Sequence, residues 1–131
     1  MPELSVPGRL AEVFLDAAHF DRHREYRFPA GGVTYTIDTA TEAELQDDRT
    51  VAYVRLKAAV HWAHDGESVE GPFELQLVVA GIFNWAFPDR SDEDILGWLE
   101  FNSTHLLWPY LRSYISNLTS MAGLPQMTIY T

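Results

Sequence analysis

The stretch VAYVRLKAAVHWAHDGESVEGPFELQLVVAGIF, residues 51–83, decides the fold. At its centre is Asp65-Gly66, a dipeptide favoured in two-residue type I′ turns because both turn positions need a positive φ. A turn there pairs residues at equal distances on either side, so that His64 lies opposite Glu67. The sequence therefore predicts an antiparallel β-hairpin.

The two faces of this hairpin can be checked against each other. The predicted register pairs Leu56 with Leu75 on one face and Lys57 with Glu74 on the other. A slip by one residue would turn every side chain to the opposite face, so matching both faces specifies the register. We expect alternate residues from 73 to 79 to face a helix. The other predicted pairs are Ala52–Val79, Val54–Leu77, Ala58–Phe73, Arg55–Gln76 and His61–Glu70.

Upstream of the hairpin, the residues alternate again after the Gly31-Gly32 breaker. Val33, Tyr35 and Ile37 share one face, which predicts a half-buried strand from Val33 to Asp38. The acidic segment that follows, as far as Arg49, is expected to be a solvated loop.

The first twenty residues are less clear. Residues 10–20 fit both a helical stripe and strand alternation, and the residues alone leave both alternatives open. Residues 1–8 contain two prolines and a glycine and are expected to form a flexible arm on a single domain of residues 1–131.

Downstream of the hairpin, the sequence predicts two helices. Ser91, with Asp94 three residues later, is typical of a helix N-cap, and Asn102 or Ser103 is expected to end this short helix. A second helix is predicted to start near Trp108 and to end at Gly123 and Pro125, because a proline deep inside a helix removes a hydrogen bond. Its predicted seam is Leu107, Leu111, Tyr114, Leu118 and Met121.

The C-terminal segment is poor in charge. Residues 102–131 contain one formal charge, Arg112, although the chain has a net charge of -10. A surface helix normally keeps a charged outer face. We therefore expect this helix to be covered on two sides, with Leu107, Ile115, Leu118 and Met121 at an oligomer interface.

Composition excludes several classes of function. The acidic balance disfavours nucleic acid, and no run of apolar residues is long enough to cross a membrane. The chain has no cysteine, no glycine-rich phosphate loop and no paired carboxylates in a catalytic arrangement. His19 and His23 would bind a metal only on a helix and with a third ligand. We expect a cytoplasmic protein with no catalytic residues, no metal site and no cofactor.

Several motifs in order resemble one family. Gly81-Ile82-Phe83 closes a predicted strand, Trp108-Pro109-Tyr110 opens a predicted helix, and Gly123-Leu124-Pro125-Gln126-Met127 ends it. With YTIDTATEAELQDDRTVAYVRL, residues 35–56, these segments resemble the SecB protein-export chaperones over roughly residues 33–129.

The resemblance implies an α+β fold in which a four-stranded antiparallel sheet is followed by a long C-terminal helix, with residues 10–20 as the first strand. It implies a dimer of dimers and an ATP-independent holdase that binds unfolded polypeptides in a hydrophobic groove. Partners would be unfolded or nascent clients, among them an antitoxin, or the preprotein translocase ATPase. The matching client-binding positions are Val33, Tyr35, Ile37, Trp108, Tyr110, Leu111 and Tyr114.

Two departures favour a stand-alone or dedicated chaperone. The family's further helix and charged tail do not follow the Pro-Gln segment, and Lys57 and Arg55 neutralise the outer sheet face that is acidic in the family. The alternatives are a small α+β domain that binds an apolar small molecule in an enclosed pocket, and a structural interaction domain.

Overall fold

The computed structural model describes residues 6–123, in which an antiparallel sheet carries a long helix on one face. The long strands lie in the order β1-β5-β3-β2, and the short β4 pairs with β3 alone. The predicted architecture of four long strands followed by a helix is confirmed. The elements are β1 Gly8–Arg22, β2 Thr34–Leu45, β3 Val51–His64, β4 Glu67–Val69, β5 Phe73–Trp85 and α1 Asp92–Met121.

The core lies between α1 and the two central strands. β3 and β5 bury alternate residues, which form one cluster with the buried side of the helix. As predicted, Phe73, Leu75, Leu77 and Val79 are all buried in this cluster. Each such side chain contributes about 1.5–3 kcal/mol when it is fully removed from water.

The Asp65-Gly66 turn forms as predicted, with both residues at positive φ, but the predicted register holds only next to it. β4 keeps that register as far as the Trp62–Val69 pair. Beyond it Lys57 lies opposite Val78, four residues further along than the predicted Glu74, so the predicted pairings of residues 52–58 are wrong. Because four is even, each residue keeps its predicted face.

The register changes at Gly71-Pro72. Pro72 has no N–H for the ladder, and a Cβ on Gly71 would lie 2.1 Å from the indole ring of Trp62. The indole N–H of Trp62 donates instead to the carbonyl oxygen of Phe73 at 2.9 Å. The packing of the Trp62 side chain on Gly71 thus fixes where β5 begins.

The changed register also changes the charge pairs of the outer sheet face. Lys57 Nζ lies 2.9 Å from a carboxylate oxygen of Glu42, and Arg55 Nη2 lies 3.1 Å from one of Asp16. The two basic residues of β3 are therefore neutralised by Glu42 of the adjacent β2 and by Asp16 of β1, beyond β5, and not by β5 itself.

β1 is a strand, as the resemblance implies, and it pairs with β5 along one edge of the sheet through two register shifts. Gly8 is buried at its start, so the predicted arm is too long by at least this residue. Ala86 N–H donates to the carbonyl oxygen of Pro7 at 2.9 Å, which ties the entry of the chain to the end of β5.

β2 is longer than the sequence predicted. It continues through Glu42 and Glu44 to Leu45, so only residues 46–50 form the connection that was predicted to begin after Asp38. In this turn Arg49, at φ 59°, donates to the carbonyl oxygen of Pro88 at 2.8 Å and pairs with Asp92. The turn is thereby held against the start of α1.

α1 is one continuous helix of 30 residues. Its N-cap is Ser91, which accepts from the N–H of Asp94 at 3.2 Å, as predicted. The predicted break at Asn102 or Ser103 is wrong, because Ser103 is buried against the sheet and packing there overrides its weak helix propensity. Pro109 lies inside the helix on an exposed side, where water can serve the carbonyl oxygen that it leaves unpaired.

The helix ends at its C-cap, Ala122, followed by Gly123 at φ 74°. Arg22, at the end of β1, donates to the carbonyl oxygen of Ala122 at 2.8 Å. Gly123 thus ends the helix as predicted, whereas Pro125 lies outside the described residues. Within residues 6–123, no helix has both the length and the apolar character needed to cross a bilayer.

The residues of α1 fall into rows spaced by four. Successive members of a row turn by about 40° around the axis, so the buried side moves around the helix as it passes over the sheet. The predicted seam, which mixed spacings of three and four, departs from the core row beyond Leu111, where Tyr114 and Leu118 are half-buried against the core and Met121 is exposed. The buried core row is Ile95, Leu99, Ser103, Leu107, Leu111, Ile115 and Thr119. The exposed outward row is Phe101, His105, Pro109, Ser113, Asn117 and Met121.

Candidate functional site

The helix meets the edge strand β2 along one flank, which we name the β2-side row. The hydroxyl of Thr104 lies 2.8 Å from that of Thr41 in β2. Trp108 and Arg112 follow Thr104 at spacings of four and are half-buried like it. They therefore share the flank that faces β2.

An open cavity of about 420 Å³ lies along this row. We name it the β2-side groove. Its lining residues are Thr104, His105, Trp108, Pro109 and Arg112.

The polar groups of the β2-side groove are mostly hydrogen-bond donors. Trp108 Nε1 is buried and has no hydrogen-bond partner within residues 6–123. Among these residues no carboxylate lies within ion-pair distance of Arg112. Pro109 has no N–H, so it cannot pair with the carbonyl oxygen of His105 one turn earlier. The groove thus joins apolar walls to unsatisfied polar groups.

The predicted client-binding residues of the strand lie on the helix-facing side of the sheet. Val33, Tyr35 and Ile37 are half-buried, and Ile37 packs against the core. The ring of Tyr35 meets that of Trp62 edge to face, with centroids 5.8 Å apart. The predicted alternation of these residues is confirmed, although Val33 precedes β2.

The predicted client-binding residues of the helix do not share one surface. Trp108 lies in the β2-side groove, whereas Tyr110 and Tyr114 lie in another row that also contains Trp98 and Ala122. The ring of Trp98 packs on Gly8 of β1 and Ala122 accepts from Arg22 of β1, so this β1-side row faces the opposite edge of the sheet.

Leu111, also predicted to contact a client, is fully buried in the core row and has no exposed surface to offer. The family resemblance placed Leu111 with Trp108 and Tyr110, its neighbours in the chain, and only the packed helix separates their directions.

The predicted interface residues also lie in different rows. Leu107 and Ile115 are in the core row and have at most 1 % of their surface exposed, so the fold of one chain already covers them. Leu118 is half-buried in the β1-side row, and Met121 is 83 % exposed in the outward row. Of the four predicted residues, only these last two retain surface for a second subunit.

The outward row and its neighbours expose large apolar side chains. Phe101 is 73 % exposed and Met121 83 %, with Leu106 and Tyr110 exposed beside the row. His105 is the only ionisable side chain among the six residues of the outward row. Large exposed apolar surfaces of this kind mark interaction sites.

A second cavity, of about 580 Å³, lies at the turn between β2 and β3 on the sheet face away from α1. Its apolar wall includes Tyr53 and Ile82, and Asp47 and Asp48 stand at its rim. Burial, and next the charge of Asp16, raises the pKa of the Tyr53 hydroxyl. This surface was not predicted from the sequence.

His19 and His23 are brought beside β5. His23 Nδ1 lies 2.7 Å from the carbonyl oxygen of Gly71, and Glu74 is 3.7 Å from His19 and 3.9 Å from His23. Within the described part of the chain, no group of three or more His, Cys, Asp or Glu side chains is arranged to hold a metal ion.

Sequence reasoning also missed the groove roles of Thr104, His105 and Arg112. The spacing of four between Thr104, Trp108 and Arg112 was the available signal. It was lost because the helix was predicted to break at Ser103, which placed Thr104 outside it.

No protein-family model matches the sequence, and no curated protein matches it significantly. The structure is similar to that of the Mycobacterium tuberculosis Rv1957 SecB-like chaperone, solved in complex with a ChAD peptide from the Rv1956 HigA1 antitoxin. The TM-score is 0.76 at 21% identity, over 95% of this chain and 90% of that one.

A protein of unknown function from Streptococcus agalactiae is similar with a TM-score of 0.50 at 12% identity, over 98% of this chain and 100% of that one. The TM-score of 0.76 over 95% of this chain shows that it shares one fold with the Mycobacterium tuberculosis chaperone. The protein therefore has the SecB-like fold.

Proposed function

We propose that this protein is a chaperone that holds non-native polypeptide through the β2-side groove, without ATP, cofactor or catalytic turnover. The observation that carries the proposal is an open, largely apolar groove on a fold shared with a SecB-like chaperone in complex with a peptide. An extended segment can bury its apolar side chains there without folding itself.

The proposed client surface keeps part of the predicted set. Trp108 supplies the helix wall, and Val33, Tyr35 and Ile37 supply half-buried apolar surface on the same side of the sheet. Tyr110 and Tyr114 face the other edge, so we assign them to a separate surface.

We further propose that a second copy of the chain covers Phe101 and Met121 of the outward row in a dimer of dimers, whereas His105 and Pro109 of that row line the client groove. A row without formal charges, with Phe101 and Met121 largely exposed, supports this assignment. Leu118 would add to the contact from the adjoining β1-side row. Leu107 and Ile115 would stabilise it only indirectly, through the fold of each subunit.

We propose a dedicated client of the antitoxin class in the cytoplasm, because the peptide bound to the Mycobacterium tuberculosis chaperone comes from an antitoxin. General holding of nascent chains, with or without transfer to the translocase ATPase, is the other outcome of the test.

The test is suppression of aggregation in the absence of ATP. Purified protein in excess should slow light scattering by a chemically denatured client diluted into buffer, and by an antitoxin encoded beside the gene. If the protein suppresses aggregation of the antitoxin but not of the denatured client, it is a dedicated chaperone. If no client is protected at any ratio, the proposal is wrong, and a small-molecule pocket or a structural interaction domain replaces it.

A further inference from the structure

We infer that the β2-side groove selects client segments that place a carboxylate, from Asp, Glu or a chain terminus, next to an apolar side chain. The inference rests on the proposed client-binding function and specifies its chemistry. It comes from Arg112, the single formal charge of residues 102–131.

Arg112 lies where an unpaired cation is costly. It is half-buried, it lines the groove with Trp108 and Pro109, and no acidic side chain lines that groove. Removing a charge from water costs free energy unless a partner compensates for it. Of the half-buried basic side chains within residues 6–123, Arg49, Arg55 and Lys57 each pair with a carboxylate, whereas Arg112 has no such partner.

The unsatisfied side-chain groups of the β2-side row are donors. The guanidinium of Arg112, which lines the groove, has five N–H groups, whereas the Trp108 Nε1–H is buried out of reach of a client. A carboxylate is the ligand that matches a guanidinium, because it accepts two parallel hydrogen bonds from it. An amide offers one oxygen and adds N–H groups that the groove does not need.

The local charge of the groove is opposite to that of the whole protein. A net charge of -10 attracts basic segments over long distances, but salt screens this attraction beyond about 10 Å. At contact distance the groove presents Arg112 beside Trp108 and Pro109, where water is partly excluded and charge-assisted hydrogen bonds are stronger. We therefore expect a client with basic flanks and one acidic residue at the groove.

The test uses dye-labelled, leucine-rich peptides that differ only in one central residue, Asp, Asn or Lys, with fluorescence anisotropy as the readout. The full-length protein should bind the Asp peptide about tenfold more tightly than the Asn peptide, as a charge-assisted hydrogen bond predicts, with the Lys peptide weakest. In Arg112→Gln the Asp and Asn peptides should bind equally, and Arg112→Lys should keep part of the difference.

The outcomes separate this inference from the proposed function. Equal binding of the Asp and Asn peptides to the wild type would overturn the carboxylate selection while the chaperone function stands. A lower oligomeric mass of Arg112→Gln, with its Asp preference intact, would overturn it too, because Arg112 would then be a subunit contact. If none of the three peptides binds and no client is protected from aggregation, both the carboxylate selection and the chaperone function are wrong.

Discussion

Trp108 and Tyr110, two residues apart on α1, face opposite edges of the sheet. Trp108 shares its row with Thr104, which contacts Thr41 of β2, and Tyr110 shares its row with Ala122, which accepts from Arg22 of β1. Residues two apart lie about 200° around a helix, so the motif Trp108-Pro109-Tyr110 serves two surfaces. Whatever binds in the groove along β2 reaches the first aromatic residue and not the second.

Trp108→Ser should therefore weaken client binding more than Tyr110→Ser. Loss of an aromatic anchor from an interface costs about 2 kcal/mol or more, a factor of roughly 30 in affinity, whereas a residue outside the contact costs little. Anisotropy with a labelled unfolded client measures both variants. Tyr35→Ser should weaken binding as well. An equal loss for the two helix variants would move the client to a surface that spans the outward row.

Assembly should depend on the outward row. Phe101→Glu and Met121→Glu should lower the oligomeric mass in sedimentation while the circular dichroism spectrum stays unchanged, because both side chains are exposed within one chain. Leu107→Glu should unfold the protein, since it buries an unpaired charge in the core row. Thr36→Glu, at an exposed site on β2, serves as the control. An unchanged mass in both outward-row variants would contradict a helix-mediated assembly.

Gly71→Ala should destabilise the protein by about 1–3 kcal/mol, the usual cost of overpacking, because its Cβ would overlap the ring of Trp62. Gly97→Ala is the matched control, since a Cβ there meets nothing within 4 Å inside the described chain. In a helix interior, Ala is favoured over Gly by about 1 kcal/mol. Urea denaturation at one protein concentration should show a lower free energy of unfolding than the wild type for Gly71→Ala and a higher one for Gly97→Ala. Changes of the same sign in both variants would refute the proposed packing.

The two buried hydroxyls of the core row should respond differently to removal. Ser103 Oγ has no partner within residues 6–123, so Ser103→Ala should stabilise the fold by about 1 kcal/mol through lost desolvation cost and better helix propensity. Thr119 donates to the carbonyl oxygen of Ile115 at 3.0 Å, and Thr119→Val should give no such gain. Thermal unfolding of both variants checks this contrast.

The Lys57–Glu42 pair gives a prediction about pH. The hydrogen bond from Lys57, and then its charge, lowers the pKa of Glu42 below its ordinary value of 4.5. Because the folded-state pKa is the lower one, the pair stabilises the fold above pH 4.5, and this contribution is lost as the pH falls through the folded pKa. Lys57→Met should return the Glu42 pKa towards 4.5 in a carboxyl carbon NMR titration. A pKa that does not move would contradict the assigned cause.

Much of the local structure follows from the sequence itself. The alternation in residues 33–38 and 51–83 determined which side chains face the helix, because the side-chain period of a strand is two and survives an even shift of register. Ser91 and Asp94 determined where α1 begins, and Gly123 where it ends, since helix caps depend on residues within one turn. The scarcity of charged residues after Asn102 indicated a helix that is largely covered from solvent.

Only the tertiary structure decided the register, the continuity of the helix and the composition of its faces. The Trp62 ring packs on Gly71 five residues beyond the turn, so the turn alone could not determine where β5 begins. Ser103 and Pro109 are poor helix residues, yet packing along the sheet carries the helix through both. The core row keeps its spacing of four because the helix follows the sheet beneath it, and the continuity of the helix through Ser103 places Trp108 and Arg112 in one groove.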